Sequence, residues 1–288
     1  MRRAISVIDD QGMTSTPAPP DTIVLIHGLW MTSRSWEGWT QRYRDRGYTV
    51  VDAGWPGLDA DVDTLRRDPA PIADLTITKI VDHYASLISA LDRPPIIIGH
   101  SFGGAFTQVL LDRGLGAAGV AIASAAVKGV NRLPFSTLRT GWPILKNPAN
   151  KRRAVAINAR QFHYRFTNHL TIEESVPLYE RYCVPAAGHV LFEGAAANFS
   201  GKAATKIDFS NNDRAPLLFM AGSIDHVSPP SIVKSNVKKY RKSTAITDYQ
   251  EHEGRSHFTV AQDGWEAVAD GALEWALAHA RPAAPSWS

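Results

Sequence analysis

The stretch Ile-Ile-Ile-Gly-His-Ser-Phe-Gly-Gly, residues 96–104, decides how the rest of the sequence is interpreted. Its three isoleucines are typical of a β-strand that is buried on both faces. The glycines at 99 and 103 then flank Ser101 in the pattern G-x-S-x-G, which forms a tight turn between a strand and a helix. Such a turn exposes the serine hydroxyl at a helix N-terminus, where the helix dipole favours negative charge. Ser101 is therefore the candidate nucleophile.

Strands and helices alternate on both sides of this turn. The apolar run at 22–26 predicts another buried strand, and Trp36, Trp39 and Tyr43 then recur at helical spacing. Further strands are expected at 48–51, 96–98, 119–127, 216–220 and 245–249, and helices at 77–91, 104–113, 229–241 and 261–279. Because this alternation is typical of parallel strands joined by crossover helices, we predict an α/β fold with a mostly parallel, doubly wound sheet.

The alternation stops between residues 128 and 214. This interval contains helical patches but no strong buried strand, so we predict an inserted, mainly helical cap that lies over the sheet. The α/β core then comprises residues 21–127 and 215–280. Residues 1–20 form an N-terminal segment and residues 281–288 a tail, and neither is assigned to the core.

Composition is that of an ordinary globular protein. Hydrophobic residues make up 44% of the chain and the formal net charge is +3, which argues against nucleic acid as the main partner. The single Cys183 cannot form an internal disulfide, and Asp9 and Asp10 interrupt the N-terminus before a signal-peptide core develops. The most apolar stretch, 116–127, is too short to span a bilayer. We expect a cytoplasmic protein that acts on a small molecule, and the sequence leaves its oligomeric state open.

A serine nucleophile needs a base and an acid as partners. Asp225 follows the strand expected at 216–220, at the edge of the sheet where a short carboxylate can reach an imidazole. Asp213 precedes that strand and belongs to the opposite edge, and the position after the preceding strand offers Lys128. His257 follows a glycine-containing loop and precedes the last expected helix. Asp225 is therefore the candidate acid, and His257 is one of two candidate bases.

His252 is the alternative base. The pair His252 and His257 also suggests a zinc site, but the spacing H-E-x-x-x-H does not place both imidazoles on one helical face, and Gly254 breaks a helix. We therefore predict neither a metal nor a cofactor. His100 and His226 are expected to be hydrogen-bonding or surface residues.

From residue 22 to residue 279 the sequence resembles the α/β-hydrolase superfamily, in particular its capped serine esterase, hydroxynitrile lyase-like and C–C hydrolase-like members. The resemblance rests on the His-Gly pair at 27–28, the tryptophan-rich helix after it, the turn at Ser101, the insertion, and the later Asp225 and His257. The order nucleophile, acid, histidine is that of the superfamily. Because His257 follows a glycine-containing loop and precedes the last expected helix, it fits the superfamily better than His252. The resemblance therefore implies a catalytic triad of Ser101, Asp225 and His257.

The resemblance also implies an oxyanion hole made of two backbone N–H groups. Phe102, which follows the nucleophile, supplies one, and Leu29 or alternatively Trp30 supplies the other. One such donor is worth about a hundred- to a thousandfold in rate. His27 is expected to order this loop through hydrogen bonds and not to act in catalysis.

The insertion is basic and aromatic. Residues 128–214 hold 13 Lys and Arg and 6 Asp and Glu, a surplus of +7. These charges form either an ordinary solvated face or a field that attracts anionic substrates beneath the cap. Most of its aromatic residues are expected to form the core of the cap and a few to face the serine: Phe135, Trp142, Phe162, Tyr164, Phe166, Tyr179, Tyr182, Phe192 and Phe199.

The function implied by the resemblance is hydrolysis of a carboxylic ester, or of a related lactone, amide or carbamate, through an acyl-enzyme on Ser101. One alternative is a lyase or C–C bond hydrolase with the same triad. Another is a ligand-binding, receptor-like protein that retains the triad. Serine at the turn argues against haloalkane dehalogenase and epoxide hydrolase chemistry, because those members of the superfamily use aspartate as the nucleophile.

Overall fold

The computed structural model describes residues 19–281, so the segment 1–20 and the tail 281–288 lie outside the described residues except for Pro19, Pro20 and Arg281. Six strands form one sheet: β1 (Thr22–Ile26), β2 (Thr49–Val51), β3 (Ile96–His100), β4 (Ala118–Ile122), β7 (Leu217–Gly222) and β8 (Thr247–His252). Their order across the sheet is β2-β1-β3-β4-β7-β8, and every neighbouring pair is parallel. The mostly parallel α/β sheet expected from the sequence is confirmed.

Both faces of the sheet are covered by helices. Glu37–Asp45 (α1) and Trp265–His279 (α11) lie on one face, where Ile23 and Leu25 pack with their tryptophans. The opposite face, with Val24 and Ile26, is covered by helices that lie between the strands in sequence. These are α2 (Val62–Arg67), α3 (Ala70–Ala73), α4 (Ile77–Ser89), α5 (Phe102–Asp112) and α10 (Pro230–Lys239). Alternate residues of one strand thus enter different cores, as a doubly wound sheet requires.

The chain between β4 and β7 is mainly helical. It forms α6 (Phe135–Leu145), α7 (Ala159–Arg165), α8 (Ile172–Tyr182) and α9 (Gly188–Ala196), and a short antiparallel pair of β5 (Ala154–Val155) and β6 (Ala186–Ala187). Its buried side chains, Phe162 and Val190 among them, belong to the same apolar cluster as Val24 and Ile26 of β1. The segment therefore packs on the sheet through a shared core, and its division from the core at 128 and 214 stays a prediction.

Several element boundaries differ from those expected. The strand expected at 119–127 ends at Ile122, because the φ of 46° at Ala123 takes the backbone out of the extended conformation just after its N–H donates to the carbonyl of Met220 at 2.7 Å. The last helix begins at Trp265 and not at Ala261. The guanidinium of Arg255 donates to the carbonyls of Gln262 and Asp263, which lie in the turn before this helix, and the turn ends at Gly264 with a φ of 77°. These contacts join residues distant along the chain, so local periodicity does not predict them.

Candidate active site

Ser101 lies at the turn between β3 and α5. Its φ of 57° and ψ of −118° are unfavourable for a residue with a side chain, and such strain is typical of functional sites. The turn requires small neighbours, because a Cβ at Gly103 would lie 2.0 Å from the carbonyl oxygen of Ile26, and one at Gly28 would lie 2.7 Å from the Cβ of Ser101. The glycines thus let the chain carry the serine hydroxyl close to the His-Gly loop.

The structure brings the three candidate polar residues together in one hydrogen-bonded chain. Nε2 of His257 lies 3.0 Å from Oγ of Ser101, and Nδ1 of His257 lies 2.6 Å from Oδ2 of Asp225. Because a carboxylate only accepts hydrogen bonds, Nδ1 carries the hydrogen and Nε2 is free to accept from the serine hydroxyl. His257 and Asp225 are 1% and 2% exposed, so water does not compete for these bonds.

Backbone groups hold the carboxylate of Asp225 in place. Its Oδ1 accepts hydrogen bonds from the N–H of Val227 at 2.7 Å and of Ser228 at 2.9 Å. Asp225 closes the turn that follows β7, since its own N–H donates to the carbonyl of Gly222. Oδ1 of Asp225 is therefore bound by its own loop, and Oδ2 is left to accept from the imidazole of His257.

Two residues outside the candidate triad, His100 and Phe166, fix the loop of His257. His100 donates from Nε2 to the backbone carbonyl of His257 at 2.8 Å, and the carbonyl of Phe166 accepts from the N–H of Phe258. The ring of Phe166 also lies 5.3 Å from the imidazole of His257. Burial, together with the nearby His257, lowers the pKa of His100 well below its usual value, so His100 is neutral. Its place inside the G-x-S-x-G motif was the only sequence signal.

The alternative histidines have other surroundings. His252 ends β8 and is half-buried, and its Nε2 has no hydrogen-bond partner among the described residues. His226 lies next to Asp225 in sequence, but its Nδ1 donates to the carbonyl of Tyr164. Of these three histidines, only His257 has a hydrogen bond to Ser101 within residues 19–281.

His27 orders the loop after β1. Its Nδ1 donates to the carbonyl of Gly28 at 2.9 Å, and its Nε2 accepts from the backbone N–H of Trp55 at 3.2 Å. Burial lowers the pKa of His27 to about 4, so the imidazole is neutral and both of its nitrogens serve in hydrogen bonds. The side chain thereby ties the loop after β1 to the backbone at Trp55.

The next residues of this loop face the serine. Leu29, Trp30 and Phe102 line the same cavity as Ser101. Among the hydrogen bonds found in residues 19–281, none uses the backbone N–H of Leu29, Trp30 or Phe102 as a donor. Free N–H groups beside a serine hydroxyl are suited to bind an oxygen atom that becomes negatively charged.

Trp30 ties this loop to the segment above it. Its φ is 62°, its indole N–H donates to the carbonyl of Val155 at 3.1 Å, and its own carbonyl accepts from the N–H of Val184 at 3.0 Å. The guanidinium of the buried Arg165 lies 5.7 Å from the centre of its ring. The unusual backbone of Trp30 is therefore held from both sides by residues of the segment between β4 and β7.

Ser101 opens into a cavity of about 640 Å³ between the sheet and this segment. Most of its lining side chains are apolar. Arg132 is the only Lys or Arg among the described lining residues, which include no Asp or Glu. The main apolar contributors are Leu29, Trp30, Phe102, Val127, Val130, Leu133, Leu138, Trp142, Leu145, Phe166, Leu191, Phe199, Val227 and Ile232. The cavity thus fits an apolar group of a small molecule.

The aromatic residues of the insertion divide differently from the expectation that most form its core. Phe162, Phe166 and Tyr182 are buried, but Phe135, Trp142 and Phe199 are 78%, 59% and 91% exposed. Tyr164, Tyr179 and Phe192 are half-buried. Trp142, Phe166 and Phe199 line the cavity. The core contribution was overestimated because helical spacing alone does not show which face of α6 meets the protein.

Comparison with known proteins identifies the family. Residues 23–271 match the sequence profile described as the alpha/beta hydrolase family, and the chain belongs to that family. No curated protein matches the sequence significantly. None of the helices described in residues 19–281 is both long and apolar enough to cross a membrane.

Solved structures share the fold at low sequence identity. A monoacylglycerol lipase from Paleococcus ferrophilus is 17% identical, with a TM-score of 0.60 over 91% of this chain and 96% of that one. An extracellular alpha/beta-hydrolase from a Paenibacillus species is 18% identical, with a TM-score of 0.63 over 91% and 100%. A pyrethroid hydrolase from Sphingobium faniae is 18% identical, with a TM-score of 0.62 over 88% and 96%. At such identities the likeness shows the fold alone.

Proposed function

We propose that the protein hydrolyses small-molecule carboxylic esters through an acyl-enzyme on Ser101. The observation that carries the proposal is the 3.0 Å contact between Oγ of Ser101 and Nε2 of His257 at an apolar cavity. A serine hydroxyl is a weak nucleophile unless an adjacent base removes its proton. The names of a lipase and a hydrolase among the similar structures agree with this proposal.

In the first half of the reaction, Oγ of Ser101 attacks the ester carbonyl carbon while Nε2 of His257 takes the hydroxyl proton. The carbonyl oxygen becomes an oxyanion, which the N–H groups of Phe102 and Leu29 bind, with Trp30 as the alternative to Leu29. The C–O bond to the alcohol then breaks, and His257 returns the proton to the departing alkoxide. Asp225 keeps Nδ1 protonated and stabilises the imidazolium.

In the second half, water attacks the acyl group on Ser101 and gives a proton to His257. The second oxyanion forms in the same place, the bond to Oγ breaks, and His257 returns the proton to the serine. The products are a carboxylic acid and an alcohol. Because every step uses the same residues, a lactone, amide or carbamate that fits the cavity follows the same route.

The lining of the cavity favours a substrate with a sizeable apolar acyl or alcohol group. Burying one apolar side group in such a wall contributes about 1 to 3 kcal/mol to recognition. A substrate with a charge deep in the cavity would meet no described Asp or Glu there, and Arg132 is the single Lys or Arg of the lining. We therefore propose uncharged, apolar esters as the substrate class.

The test combines active-site labelling with a substrate panel of p-nitrophenyl esters, lactones, amides and carbamates. A fluorophosphonate probe is expected to modify Ser101, located by peptide mass spectrometry. Ser101→Ala should lose turnover by about a millionfold while remaining folded. The matched control is Ser228→Ala, since Ser228 lines the same cavity and its backbone N–H, which binds Asp225, is retained.

Four results would contradict the proposal. Labelling at another residue, or equal turnover by Ser101→Ala, would remove the nucleophile from Ser101. Labelling at Ser101 with no ester, lactone, amide or carbamate turnover would favour the lyase or C–C hydrolase alternative. Saturable ligand binding with almost no turnover would favour the receptor-like alternative.

A further inference from the structure

Helix α6 carries apolar and basic side chains on the side that faces solvent. Phe135, Arg139, Trp142 and Lys146 are separated by four, three and four positions and therefore share one face of the helix. All four are exposed, Phe135 by 78% and Trp142 by 59%. We call these four residues the α6 outer face. At a membrane surface, aromatic rings can lie at the level of the headgroups while the long Lys and Arg side chains beside them extend to anionic headgroups.

The α6 outer face continues into the rim of the cavity. Leu133, Leu138 and Phe199 are 64%, 40% and 91% exposed and also line the cavity that contains Ser101. Trp142 belongs to both surfaces. An exposed apolar patch of this kind marks an interaction site, because leaving it in water costs free energy. The exposed patch and the wall of the cavity that contains Ser101 therefore share apolar side chains.

Unpaired positive charge surrounds this patch. The sequence contains no Asp or Glu from residue 128 to residue 172. None of its Lys or Arg side chains in that range forms a salt bridge within the described part of the chain. On the Phe199 side, Lys128 donates to the carbonyl of Ser200, and Lys202 is exposed. The guanidinium of Arg139 lies 4.2 Å from the centre of the Tyr164 ring, which holds it beside Trp142.

These observations together point to one occupant. A protein docked on the α6 outer face would cover the mouth of the cavity, whereas a lipid surface would supply apolar molecules to it. The basic residues favour a surface with anionic headgroups, because each Lys or Arg near such a surface is attracted to its negative charge. We propose that the α6 outer face docks onto an anionic phospholipid surface, from which apolar molecules enter the cavity. This docking rests on the surface of α6 and does not require the proposed hydrolysis.

Vesicle flotation with the full-length protein tests the docking. Vesicles of phosphatidylcholine alone are compared with vesicles of equal parts phosphatidylcholine and phosphatidylglycerol, each at low and high sodium chloride. We expect binding to the anionic vesicles that weakens at high salt, and little binding to the neutral ones. Equal binding to both compositions, or binding to neither, would overturn the proposal.

Variants locate the contact. The double variant Arg139→Gln/Lys146→Gln is expected to bind anionic vesicles about thirtyfold more weakly, and Phe135→Ser about tenfold more weakly. The matched controls are Lys238→Gln/Lys242→Gln, two exposed cations outside the patch, and Ile246→Ser, an exposed apolar residue outside it. Controls that weaken binding as much as the α6 variants would overturn the assignment of the surface.

Two further measurements separate docking from catalysis and from self-association. Phe135 does not line the cavity, so Phe135→Ser should hydrolyse p-nitrophenyl acetate as wild type does if the proposed function holds. Loss of vesicle binding without loss of that activity supports docking, and vesicle binding by a protein without esterase activity contradicts only the proposed function. A dimer in solution that Phe135→Ser dissociates, without vesicle binding by wild type, would assign this face to a second copy of the chain and overturn the proposal.

Discussion

The imidazole of His257 is constrained on three sides. Asp225 accepts from Nδ1, the hydroxyl of Ser101 faces Nε2, and His100 binds the backbone carbonyl of the same residue. The contact with Asp225 fixes the tautomer, the contact with Ser101 fixes the direction of the Nε2 lone pair, and the contact with His100 fixes the main chain. A base held in this way loses little entropy when the proton moves, which is the physical basis of preorganised catalysis.

The choice between the two histidines of the late loop gives a direct prediction. His257→Ala should lower kcat/KM for a small ester by about a millionfold, and His252→Ala by less than about tenfold, because only His257 contacts Ser101. Steady-state kinetics of both variants measure the effect, and thermal unfolding checks that each is folded. The reverse order of losses would assign the base to His252.

At the scale of elements, the loop after β1 is held by the segment between β4 and β7. Trp30 reaches Val155 beside β5 through its indole and Val184 through its carbonyl. Movement of this segment therefore changes the loop that supplies the proposed oxyanion donor. Positioning of this kind depends on the segment being packed in place, and not on any residue of the segment touching the substrate.

We expect Trp30→Phe to lower kcat about fivefold for p-nitrophenyl acetate with little change in KM, because one hydrogen bond of about 1 kcal/mol no longer holds the loop. The control is Trp142→Phe, since Trp142 lines the same cavity and its indole has no hydrogen bond among the described residues. A purely structural role of Trp30 would instead lower the melting temperature and leave kcat unchanged.

The exposed aromatics of the segment give a second prediction at this scale. Trp142→Ala and Phe199→Ala should lower kcat/KM for p-nitrophenyl hexanoate by about ten- to a hundredfold and for the acetate by less than about tenfold. Both residues line the cavity, whereas the control Phe192→Ala removes an aromatic ring that does not. Equal losses on both esters would mean that these side chains support the catalytic geometry and do not select the substrate.

At the scale of the whole molecule, the sheet and the segment above it behave as one packed body. Besides their shared apolar cluster, Arg66 of α2 donates to the carbonyls of Tyr179 and Cys183. The carboxylate of Glu37 in α1 accepts from Arg181 and from the hydroxyl of Tyr182. These contacts join α1 and α2 of the core to the segment between β4 and β7. We therefore expect that unfolding of this segment is coupled to unfolding of the site.

Two buried neutral histidines make this global stability depend on pH. The pKa of His27 is lowered to about 4 and that of His100 well below its usual value, both mainly by burial. The unfolded chain binds these protons near pH 6.5, whereas the folded protein binds them only at lower pH. The free energy of unfolding therefore has its full value above pH 6.5 and decreases as the pH falls towards 4. For His27 alone the loss reaches about 3 kcal/mol at low pH.

The measurement is the free energy of unfolding by denaturant at pH 7 and at pH 4.5. His27→Asn keeps a donor near the position of Nδ1 but does not titrate, so the loss between the two pH values should be smaller than in wild type. His189→Asn is the control, at a half-buried histidine without a hydrogen bond among the described residues. If His27→Asn lost as much stability as wild type, the titration of His27 would not contribute.

Local patterns in the sequence predicted much of the architecture. Runs such as residues 96–98 and the stripe in 77–91 depend on near neighbours, so the alternation of strands and helices, and hence the sheet, followed from periodicity. The turn at Ser101 was likewise predictable, because a turn this tight needs residues without side chains next to the serine, and the glycines stand within a few positions of it. Asp225 was chosen from its place after a strand and His257 from its fit to the superfamily, and the structure brings both to Ser101. Their catalytic roles stay predictions.

By itself, then, the sequence determined the α/β class, the serine turn and the order of the candidate residues, since each depends on residues close together in the chain. Only the tertiary structure decided that His100 holds the carbonyl of His257 and that Trp30 is clamped by the segment above it. It also decided that Phe135, Trp142 and Phe199 face solvent. The physical reason is that these features depend on packing between residues up to 157 positions apart, which no local pattern encodes.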